Sequence, residues 1–285
     1  MRGGAKARFS GWITRRNCND RCIAAMAQSG RMIRHSEKEF IFGMHPVMEA
    51  IRGGRQIDRV LVRQGLRGGQ YHELMQVVNE FAVPWQVVPQ EKLDSITRKN
   101  HQGVIAWLSA IEFQNIENIL PGIFEEGGEP LLLMLDGVSD VRNFGAIVRS
   151  AHCFGAHAVI IPEKNSARIS ADAVKASAGA LSTFQVCRVK SLTKCLTYLK
   201  ESGVKAVAAT EKADSTVSAA ALTGPLVVIL GSEEKGISRE LLGLSDAQVS
   251  IPITGSIGSL NVSVSAGIIL YEVIRQRGAR QQNLR

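Results

Sequence analysis

Short aliphatic runs alternate with stretches of helical pattern through the second half of this chain, and no other feature limits its fold as strongly. Each run has strand length and is apolar throughout, as expected for parallel strands that are buried on both faces. The pattern therefore predicts an α/β domain with a parallel sheet, which we assign to residues 131–285. The runs are Leu131–Leu135, Ala158–Ile161, Val204–Ala209, Leu226–Leu230 and Val249–Ile251.

A smaller alternating pattern precedes this domain, from Phe40 to about Glu112. Pro46 stands at a plausible first helical position, where the N–H that it lacks is not needed. The alternation favours a layered α/β domain, which we assign to residues 36–112. Residues 113–130 shift towards Asn, Glu, Gly and Pro, and this composition predicts a linker. The other predicted elements are strands at Ile57–Val62, Trp85–Val88 and Val104–Leu108 and helices at Tyr71–Phe81 and Gln90–Thr97.

Most of the formal net charge of +8 resides near the N-terminus. Residues 1–35 hold eight basic side chains and one acid, Asp20, so the rest of the chain is nearly neutral. Net charge therefore does not by itself establish nucleic-acid binding. We expect residues 1–35 to be a disordered or non-native extension, with Met32 as an alternative start. Five arginines from Arg52 to Arg67 form a local cluster, either a solvated surface or a phosphate-contacting face.

The sequence gives little support for a membrane-spanning protein or for a metal site. No segment reaches the ~18 consecutive apolar residues needed to cross a bilayer, so we expect a soluble protein. Five cysteines, an odd number without framework spacing, indicate reduced thiols in the cytoplasm. Cys18 and Cys22 have no second Cys or His pair at zinc spacing, so no metal site is expected.

Ligands of parallel α/β sheets bind beyond the carboxyl ends of the strands, which directs attention to the loops after Leu135, Leu230 and Ile251. In the first loop, Asn143 is a plausible N-cap of the following helix. Arg149 follows between apolar positions of that helix. This arginine must pair with an acid, face a polar cleft, or lie on the surface with its stem packed down.

The second loop, Gly231–Ser238, carries two glycines directly after a buried strand. It comes close to a phosphate-binding P-loop, but Ile237 stands where that motif requires Lys. Its carboxylates, Glu233 and Glu234, would also repel a triphosphate. No Gly-x-Gly-x-x-Gly follows any strand, which argues against a dinucleotide enzyme. The loop therefore suits a cationic or neutral ligand better than a phosphate.

The third loop leads into Ser259–Gly267, where small polar side chains stand at the start of an apolar helix. Unpaired backbone N–H groups and the positive end of the helix dipole would lie beside them, which favours a ligand site. The plainer alternative is an N-cap followed by a buried helix. In that case the stripe predicted to face the core is Leu260, Val264, Gly267, Ile268 and Tyr271.

Three motifs in order give the chain a specific resemblance. They are Asn143-x-Gly145-x-x-x-Arg149, Gly231-x-Glu233-x-x-Gly236 and Ser259-Leu260-Asn261. Residues 131 to about 277 resemble the SpoU (TrmH-like) branch of the SPOUT methyltransferases, which transfer a methyl group from S-adenosylmethionine to a ribose 2′-hydroxyl of RNA. The segment with Gly43-Met44-His45-Pro46-Val47 and His101-Gln102-Gly103-Val104 is similar to the L30e-like substrate-binding domain of rRNA-modifying members.

The resemblance implies a C-terminal trefoil knot, a homodimer that packs across it, and RNA as the partner. It implies that Gly231, Ile251 and Leu260 bind S-adenosylmethionine, chiefly through backbone groups. It also implies a catalytic cluster, formed by Asn143, Arg149, Glu233, Ser259 and Asn261. Arg149 would act as an unusual base or, as we favour, as an electrostatic stabiliser of the 2′-alkoxide, because arginine keeps its proton in proteins.

A guanosine of 23S rRNA is the substrate that the resemblance favours, because of the L30e-like unit. A tRNA methyltransferase or an antibiotic-resistance rRNA methyltransferase of the same family is the near alternative. A non-catalytic RNA-binding protein with the same fold is the alternative from another class. The intact Arg149, Glu233 and Asn261 argue against that last reading.

Overall fold

Two β-sheets organise residues 40–283, the part of the chain that the computed structural model describes. Strands of the first sheet lie within residues 40–108 and those of the second within residues 131–249. The predicted basic extension, including Cys18 and Cys22, lies outside the described residues. No helix in residues 40–283 is both long enough and apolar enough to cross a membrane.

The first sheet is small and has mixed strand directions. Its elements are β1 (Phe40–Phe42), α1 (Met44–Arg52), β2 (Ile57–Arg63), α2 (Gly69–Glu80), β3 (Trp85–Val88), α3 (Gln90–Ile96) and β4 (Val104–Leu108). The strands lie in the order β1-β4-β2-β3, and only β2 and β3 run parallel. Helices α1 and α2 pack on one face, where they share a core with Val60 and Val62. Helix α1 begins two residues before Pro46, so Pro46 is its third residue and not, as predicted, its first.

The second sheet is larger and entirely parallel, which confirms the predicted α/β fold class. Its elements are α4 (Ile116–Glu125), β5 (Leu131–Asp136), α5 (Val141–Cys153), β6 (Ala158–Pro162), α6 (Ala171–Ala176), β7 (Gln185–Val189), α7 (Leu192–Glu201), β8 (Lys205–Ala209), β9 (Leu226–Gly231), α8 (Arg239–Leu244), β10 (Ala247–Val249) and α9 (Val262–Asn283). The strand order is β10-β8-β9-β5-β6-β7. Helices α5 and α9 cover one face, and α4, α7 and α8 cover the other. The sequence pattern did not predict β7, an edge strand that mixes polar and apolar residues, and it placed β10 two residues too late.

Helix α4 occupies most of the segment whose composition predicted a linker. Asn115 caps this helix by accepting a hydrogen bond from the N–H of Glu117 at 3.0 Å. Ile116 and Leu120 are buried in the core of the large sheet. Ile116 and Leu120 are spaced as on one face of a helix, but the residues around them are polar. The average composition of the segment therefore indicated a linker and not a helix. The proposed domain boundaries at residues 112 and 130 stay predictions.

A buried ion pair joins the two sheets. Arg188 of β7 donates from Nη2 to Asp58 Oδ1 at 2.5 Å and from Nη1 to the backbone oxygen of Asp58 at 2.9 Å. Both side chains are buried, and the guanidinium of Arg188 lies 3.4 Å from the ring centroid of Phe113. Burial lowers the pKa of Arg188, while the neighbouring Asp58 carboxylate opposes that shift. The orientation of the small sheet is therefore tied to the edge of the large one.

The chain crosses the carboxyl edge of the large sheet near its end. Helix α8 packs on one face and α9 on the other, and residues 250–261 connect β10 to α9 between them. This return across the edge brings the third predicted loop beside the first two. The C-terminal trefoil knot that the resemblance implies stays a prediction.

Helix α9 buries a different face from the predicted one. Leu260, Val264 and Tyr271, from the stripe predicted to face the core, are 38%, 49% and 60% exposed. The first half of the helix is apolar on both sides, so periodicity alone could not choose the side that packs on α5. The single chain thus leaves an exposed outer strip, formed by Val264, Ile268 and Tyr271 of this helix together with Leu260 just before it. The buried side is formed by Val262, Ala266, Ile269, Leu270 and Val273.

We expect Asp58→Ala to lower the free energy of unfolding by about 3–5 kcal/mol, because it leaves the buried charge of Arg188 without its partner. Chemical denaturation of the full chain measures this change. The matched control is Glu73→Ala, which removes the exposed ion pair with Arg52 and should cost less than about 1 kcal/mol. Equal effects of the two substitutions would show that the Asp58 pair does not hold the sheets together.

Candidate active site

The loops that follow β5 and β9 meet at the carboxyl edge of the large sheet. These strands are neighbours, and their last residues, Asp136 and Gly231, are paired. Asp136 Oδ2 accepts a hydrogen bond from the backbone N–H of Ser238 at 2.8 Å. The end of β5 therefore anchors the end of the second loop. Because β5 and β9 are parallel neighbours, the loops that follow them lie side by side.

A tight turn folds the second loop back on the end of β9. The carbonyl of Ser232 accepts a hydrogen bond from the N–H of Gly236 at 2.9 Å, and Ser232 Oγ accepts one from the N–H of Lys235 at 3.1 Å. A Cβ atom on Gly231 would lie 2.1 Å from the carbonyl carbon of Gly236. Only glycine at position 231 lets the backbone approach so closely.

Glu233 connects the three loops through one carboxylate oxygen. Its Oε1 accepts hydrogen bonds from Nδ2 of Asn143 at 3.0 Å and from Nδ2 of Asn261 at 2.6 Å. The backbone N–H of Val262, at the start of α9, donates to the same oxygen at 3.4 Å. Asn261 Nδ2 also donates to Asn143 Oδ1 at 3.0 Å. Bonds to a charged acceptor are stronger than neutral ones, so Asn143, Glu233 and Asn261 form a defined unit, here called the Glu233 cluster.

Asp140 caps helix α5, in place of the predicted Asn143. Its Oδ1 accepts hydrogen bonds from the backbone N–H groups of Arg142 and Asn143, each at 2.9 Å. The bond from Asn143 is the largest cause that lowers the pKa of the Asp140 carboxyl below its usual range. Asp and Asn are equally good N-caps, so residue type could not separate them. Because Asn143 is the third residue of the helix, its side chain is free to reach Glu233.

Arg149 lies outside the Glu233 cluster. It is exposed, and its side chain makes no hydrogen bond or ion pair with any residue of the 40–283 range. The next residue, Ser150, faces Gly267 of α9, and the ring of Phe154 packs edge-on against Tyr271 with centroids 6.5 Å apart. Of the three alternatives for Arg149, the structure shows the surface position.

A cavity of 430 Å³ lies on one side of the second loop. The residues predicted to bind the cofactor line it together, and so does Ser259 of the predicted catalytic set. Its wall combines aliphatic side chains with three carboxylates and two ammonium groups, which suits a zwitterionic ligand with an apolar part. The predicted cofactor residues are Gly231, Ile251 and Leu260, and the charged ones are Glu211, Lys212, Glu233, Glu234 and Lys235.

A second cavity, of 740 Å³, lies on the other side of the same loop. Asn143 and Glu233 line it, together with Lys164 and Asn165 from the loop after β6. Glu233 borders both cavities, so groups bound in the two can meet at the Glu233 cluster. No group of three His, Cys, Asp or Glu side chains within residues 40–283 could hold a metal ion.

Sequence reasoning missed the carboxylates that shape these loops. Asp136 ends a buried strand and is followed by a glycine of positive φ, a combination that marks a strand end pointing into a turn. Asp140 precedes Asn143 by three residues, a spacing suited to bonding the backbone N–H of the first helical turn. An acid at the end of an apolar run and an acid three residues before Asn143 are both visible in the sequence.

The chain is similar to RNA methyltransferases in both of its halves. A family model described as the SpoU rRNA Methylase family matches residues 130–271. A second model, described as RNA 2′-O ribose methyltransferase substrate binding, matches residues 40–114. The two matches fall on the large and the small sheet respectively.

Curated relatives extend the similarity over most of the chain. An uncharacterized tRNA/rRNA methyltransferase of Mycolicibacterium vanbaalenii is 36% identical over 89% of this chain and 82% of its own length. The TrmH family tRNA/rRNA methyltransferase YacO of Bacillus subtilis is 30% identical over 85% of this chain and 97% of its own. Among solved structures, the SpoU methyltransferase AviRb of Streptomyces viridochromogenes, in complex with AdoMet, is 26% identical, covers 84% of this chain and 90% of its own, and has a TM-score of 0.54.

We expect Gly231→Ala to lower the stability of the fold by about 1–3 kcal/mol, because the added methyl group overlaps the backbone at Gly236. Thermal unfolding measures the change. Gly243→Ala is the matched control: it makes the same chemical change in α8, where the new Cβ meets no atom within 4 Å. A helical glycine replaced by alanine should stabilise by about 0.5–1 kcal/mol. The same loss in both variants would contradict the close approach at Gly231.

Proposed function

This chain belongs to the SpoU (TrmH-like) family of RNA methyltransferases, and from that premise we propose that it methylates a guanosine ribose 2′-hydroxyl of 23S rRNA with S-adenosylmethionine. The observation that carries the proposal is the position of the Glu233 cluster between the two cavities. The 430 Å³ cavity suits the methyl donor, and we assign the 740 Å³ cavity to the RNA substrate. We place this activity in the cytoplasm.

The 430 Å³ cavity fits the proposed cofactor in size and chemistry. Small-molecule sites generally have volumes of ~300–1,000 Å³, and this one adds aliphatic walls to charges of both signs. We assign contacts to Gly231, Ile251 and Leu260, which line this cavity together. Bound there, S-adenosylmethionine would supply an electrophilic methyl group on a sulfonium cation.

Glu233 is suited to orient other groups rather than to take a proton itself. Its Oε1 already accepts three hydrogen bonds, and the start of α9 stabilises its negative charge. The carboxylate therefore fixes the amides of Asn143 and Asn261 in one arrangement. Asn261 donates both of its amide hydrogens within the cluster, whereas Asn143 donates only one, so the second N–H of Asn143 can bind a ribose or phosphate oxygen. Ser259, in the wall of the cofactor cavity, adds a hydroxyl on the same side.

Arg149 is the group that we assign to stabilising the 2′-alkoxide as methyl transfer proceeds. A guanidinium is a poor base but a strong electrostatic partner for a developing negative charge. In one chain Arg149 is exposed and makes no hydrogen bond or ion pair with the Glu233 cluster. We therefore propose a homodimer, packed across the outer strip, in which each active site takes Arg149 from the second subunit.

The outer strip supports such a dimer because it is apolar and uncovered. Val264 and Tyr271 are 49% and 60% exposed in the single chain, and an exposed strip of this kind is typical of an interaction surface. A two-fold axis would bring the same strip of each subunit together, so one set of residues serves both sides. Arg149 is exposed on α5, the helix that packs against α9, and we infer that it faces the second subunit in such a dimer.

The choice of rRNA rests on the small sheet. Residues 40–114 match a substrate-binding model of ribose methyltransferases, and we infer that they select the RNA. The curated relatives carry the broader name tRNA/rRNA methyltransferase, so tRNA is the second candidate. Mapping of 2′-O-methyl groups in cells with and without the gene separates the two.

In that mapping, we expect loss of one 2′-O-methylguanosine from 23S rRNA in the cells without the gene. Reintroducing the gene should restore the modification. A loss confined to tRNA would transfer the proposal to tRNA. Unchanged maps of both rRNA and tRNA would refute the enzymatic function.

We expect Arg149→Ala to leave S-adenosylmethionine binding within about threefold and to lower methyl transfer by roughly 100-fold or more, because a charge near the reacting oxygen is lost. Calorimetry with the cofactor and a methyl-transfer assay on rRNA measure the two quantities. Arg149→Lys keeps a positive charge and should retain part of the activity. Loss of cofactor binding in Arg149→Ala would place this residue in the cofactor pocket instead.

Mixed dimers test whether the active site is shared. When Arg149→Ala and Glu233→Ala chains are unfolded together and reassembled, random pairing should restore about a quarter of the wild-type sites if each site uses both subunits. Each variant alone should be inactive. No recovery in a mixture shown to contain mixed dimers would put Arg149 and Glu233 of one site in the same subunit.

Tyr271→Asp should shift the protein from dimer to monomer, because it places a charge in the outer strip. Analytical ultracentrifugation measures the shift. Phe124→Asp, at an aromatic residue of α4 that is 37% exposed, is the matched control and should leave the dimer intact. A Tyr271→Asp dimer as stable as the wild type would exclude the outer strip as the interface.

A further inference from the structure

A groove of 560 Å³ lies between the free edge of the small sheet and the loop after β6. Trp85 of β3 lines it, with a side chain that is 37% exposed, and Val87 beside it is 47% exposed. The basic residues of this groove, here called the Trp85 groove, are Arg59, Lys164 and Lys190, and its acid is Glu163. The charged lining is therefore positive on balance.

The ring of Trp85 contrasts with that of Trp107 in the same sheet. Trp107 packs edge-on against Phe40 with centroids 5.3 Å apart, and the guanidinium of Arg168 lies 3.9 Å from its ring centroid. Trp85 makes no aromatic or cation–π contact with any residue that the structure describes. Trp85 therefore combines a partly exposed ring, 37% accessible, with no aromatic or cationic partner in the described residues.

The cations of the groove are available as well. Arg59, Lys164 and Lys190 form no ion pair with other residues between positions 40 and 283. Other cations of the chain are engaged: Arg188 binds Asp58, and Lys200 binds Asp246 at 2.8 Å. Three unpaired cations around one open aromatic ring form a binding surface for an anionic, ring-bearing polymer.

The Trp85 groove leads towards the proposed active site. Lys164 and Asn165 line both this groove and the 740 Å³ cavity that contains Asn143 and Glu233. The buried pair of Asp58 and Arg188 holds the small sheet against the large one, so the two openings keep a shared wall. A strand that enters through the groove can therefore reach the Glu233 cluster.

We propose that the Trp85 groove binds a single-stranded RNA segment next to the target nucleotide, with one base stacked on Trp85. Lys164, Lys190 and Arg59 then contact the phosphates. Stacking of bases on aromatic side chains, combined with a basic groove that follows the backbone, is the physical pattern of single-strand binding. Duplex RNA keeps its bases stacked inside the helix and offers none to the tryptophan. The inference rests on the proposed function and assigns it a substrate form: an unpaired loop or strand.

Binding of short RNAs to the full chain tests the proposal. The probes are an oligouridylate of about ten nucleotides, within the range of single-strand sites, and an RNA duplex of similar length, both followed by fluorescence anisotropy. We expect Trp85→Ala to weaken oligouridylate binding by roughly 5- to 100-fold, the range for loss of one stacked base. Trp85→Phe should recover most of the affinity, because phenylalanine also offers a ring face.

The controls match each change in type and exposure. Phe124→Ala removes an aromatic ring that is also 37% exposed, on α4 and away from the groove. Lys92→Ala removes an exposed cation from α3, outside the groove. Both should leave oligouridylate affinity unchanged, whereas Lys164→Ala and Lys190→Ala should each lower the salt dependence of binding by about 0.7 in log–log slope, the value for one phosphate on a single strand.

An oligouridylate affinity that is unchanged in Trp85→Ala, or one that Phe124→Ala weakens equally, would overturn the proposal. A preference for the duplex that survives Trp85→Ala would overturn it too. Calorimetry with S-adenosylmethionine and the methylation map separate its failure from that of the proposed function. A wild-type protein that methylates rRNA while Trp85→Ala binds and methylates normally refutes only the groove. A protein that binds RNA through Trp85 but changes no methylation map refutes only the enzymatic function.

Discussion

A buried ion pair between the carboxylate of Asp58 and the guanidinium of Arg188 joins the small sheet to the large one. Asp58 belongs to the small sheet and Arg188 to the edge of the large one, and each would be costly to bury alone. Together they lock the sheets in one relation, with Phe113 stacked over the guanidinium. The groove at Trp85 and the loops around Glu233 are therefore parts of one surface rather than of two independently moving bodies.

The order of the large sheet imposes the next constraint. Because β5 and β9 are parallel neighbours, the first two loops emerge side by side, and the return of the chain to α9 adds the third. Glu233 is then the common acceptor. Its Oε1 accepts hydrogen bonds from Asn143 in the first turn of α5, from Asn261 in the third loop and from the backbone N–H of Val262 at the start of α9. The site is thus arranged by backbone topology first and by side chains second.

Much of this could be predicted from the sequence, and the exceptions have physical reasons. Buried parallel strands such as Leu131–Asp136 are apolar without interruption, so their existence and approximate bounds are visible in the sequence. The buried face of α9 was predicted wrongly because Val264 and Ile269 lie on opposite sides of a helix that is apolar on both. The cap was assigned to Asn143 rather than Asp140 because the two residue types cap helices equally well. The surface position of Arg149 depends on how α5 packs, which no local pattern encodes. The roles of the individual site residues stay predictions.

The strand β3 pairs with β2 along one side only, which leaves the backbone at its other side open. A segment of sequence Trp85-Gln86-Val87-Val88, with strong β propensity and no charge, is an open template for adding a foreign strand. Covering it with a helix would remove that hazard and would also close the groove. If RNA binds here as we propose, this edge must stay uncovered, and the positive charges of Arg59, Lys164 and Lys190 would oppose the pairing of two copies along it.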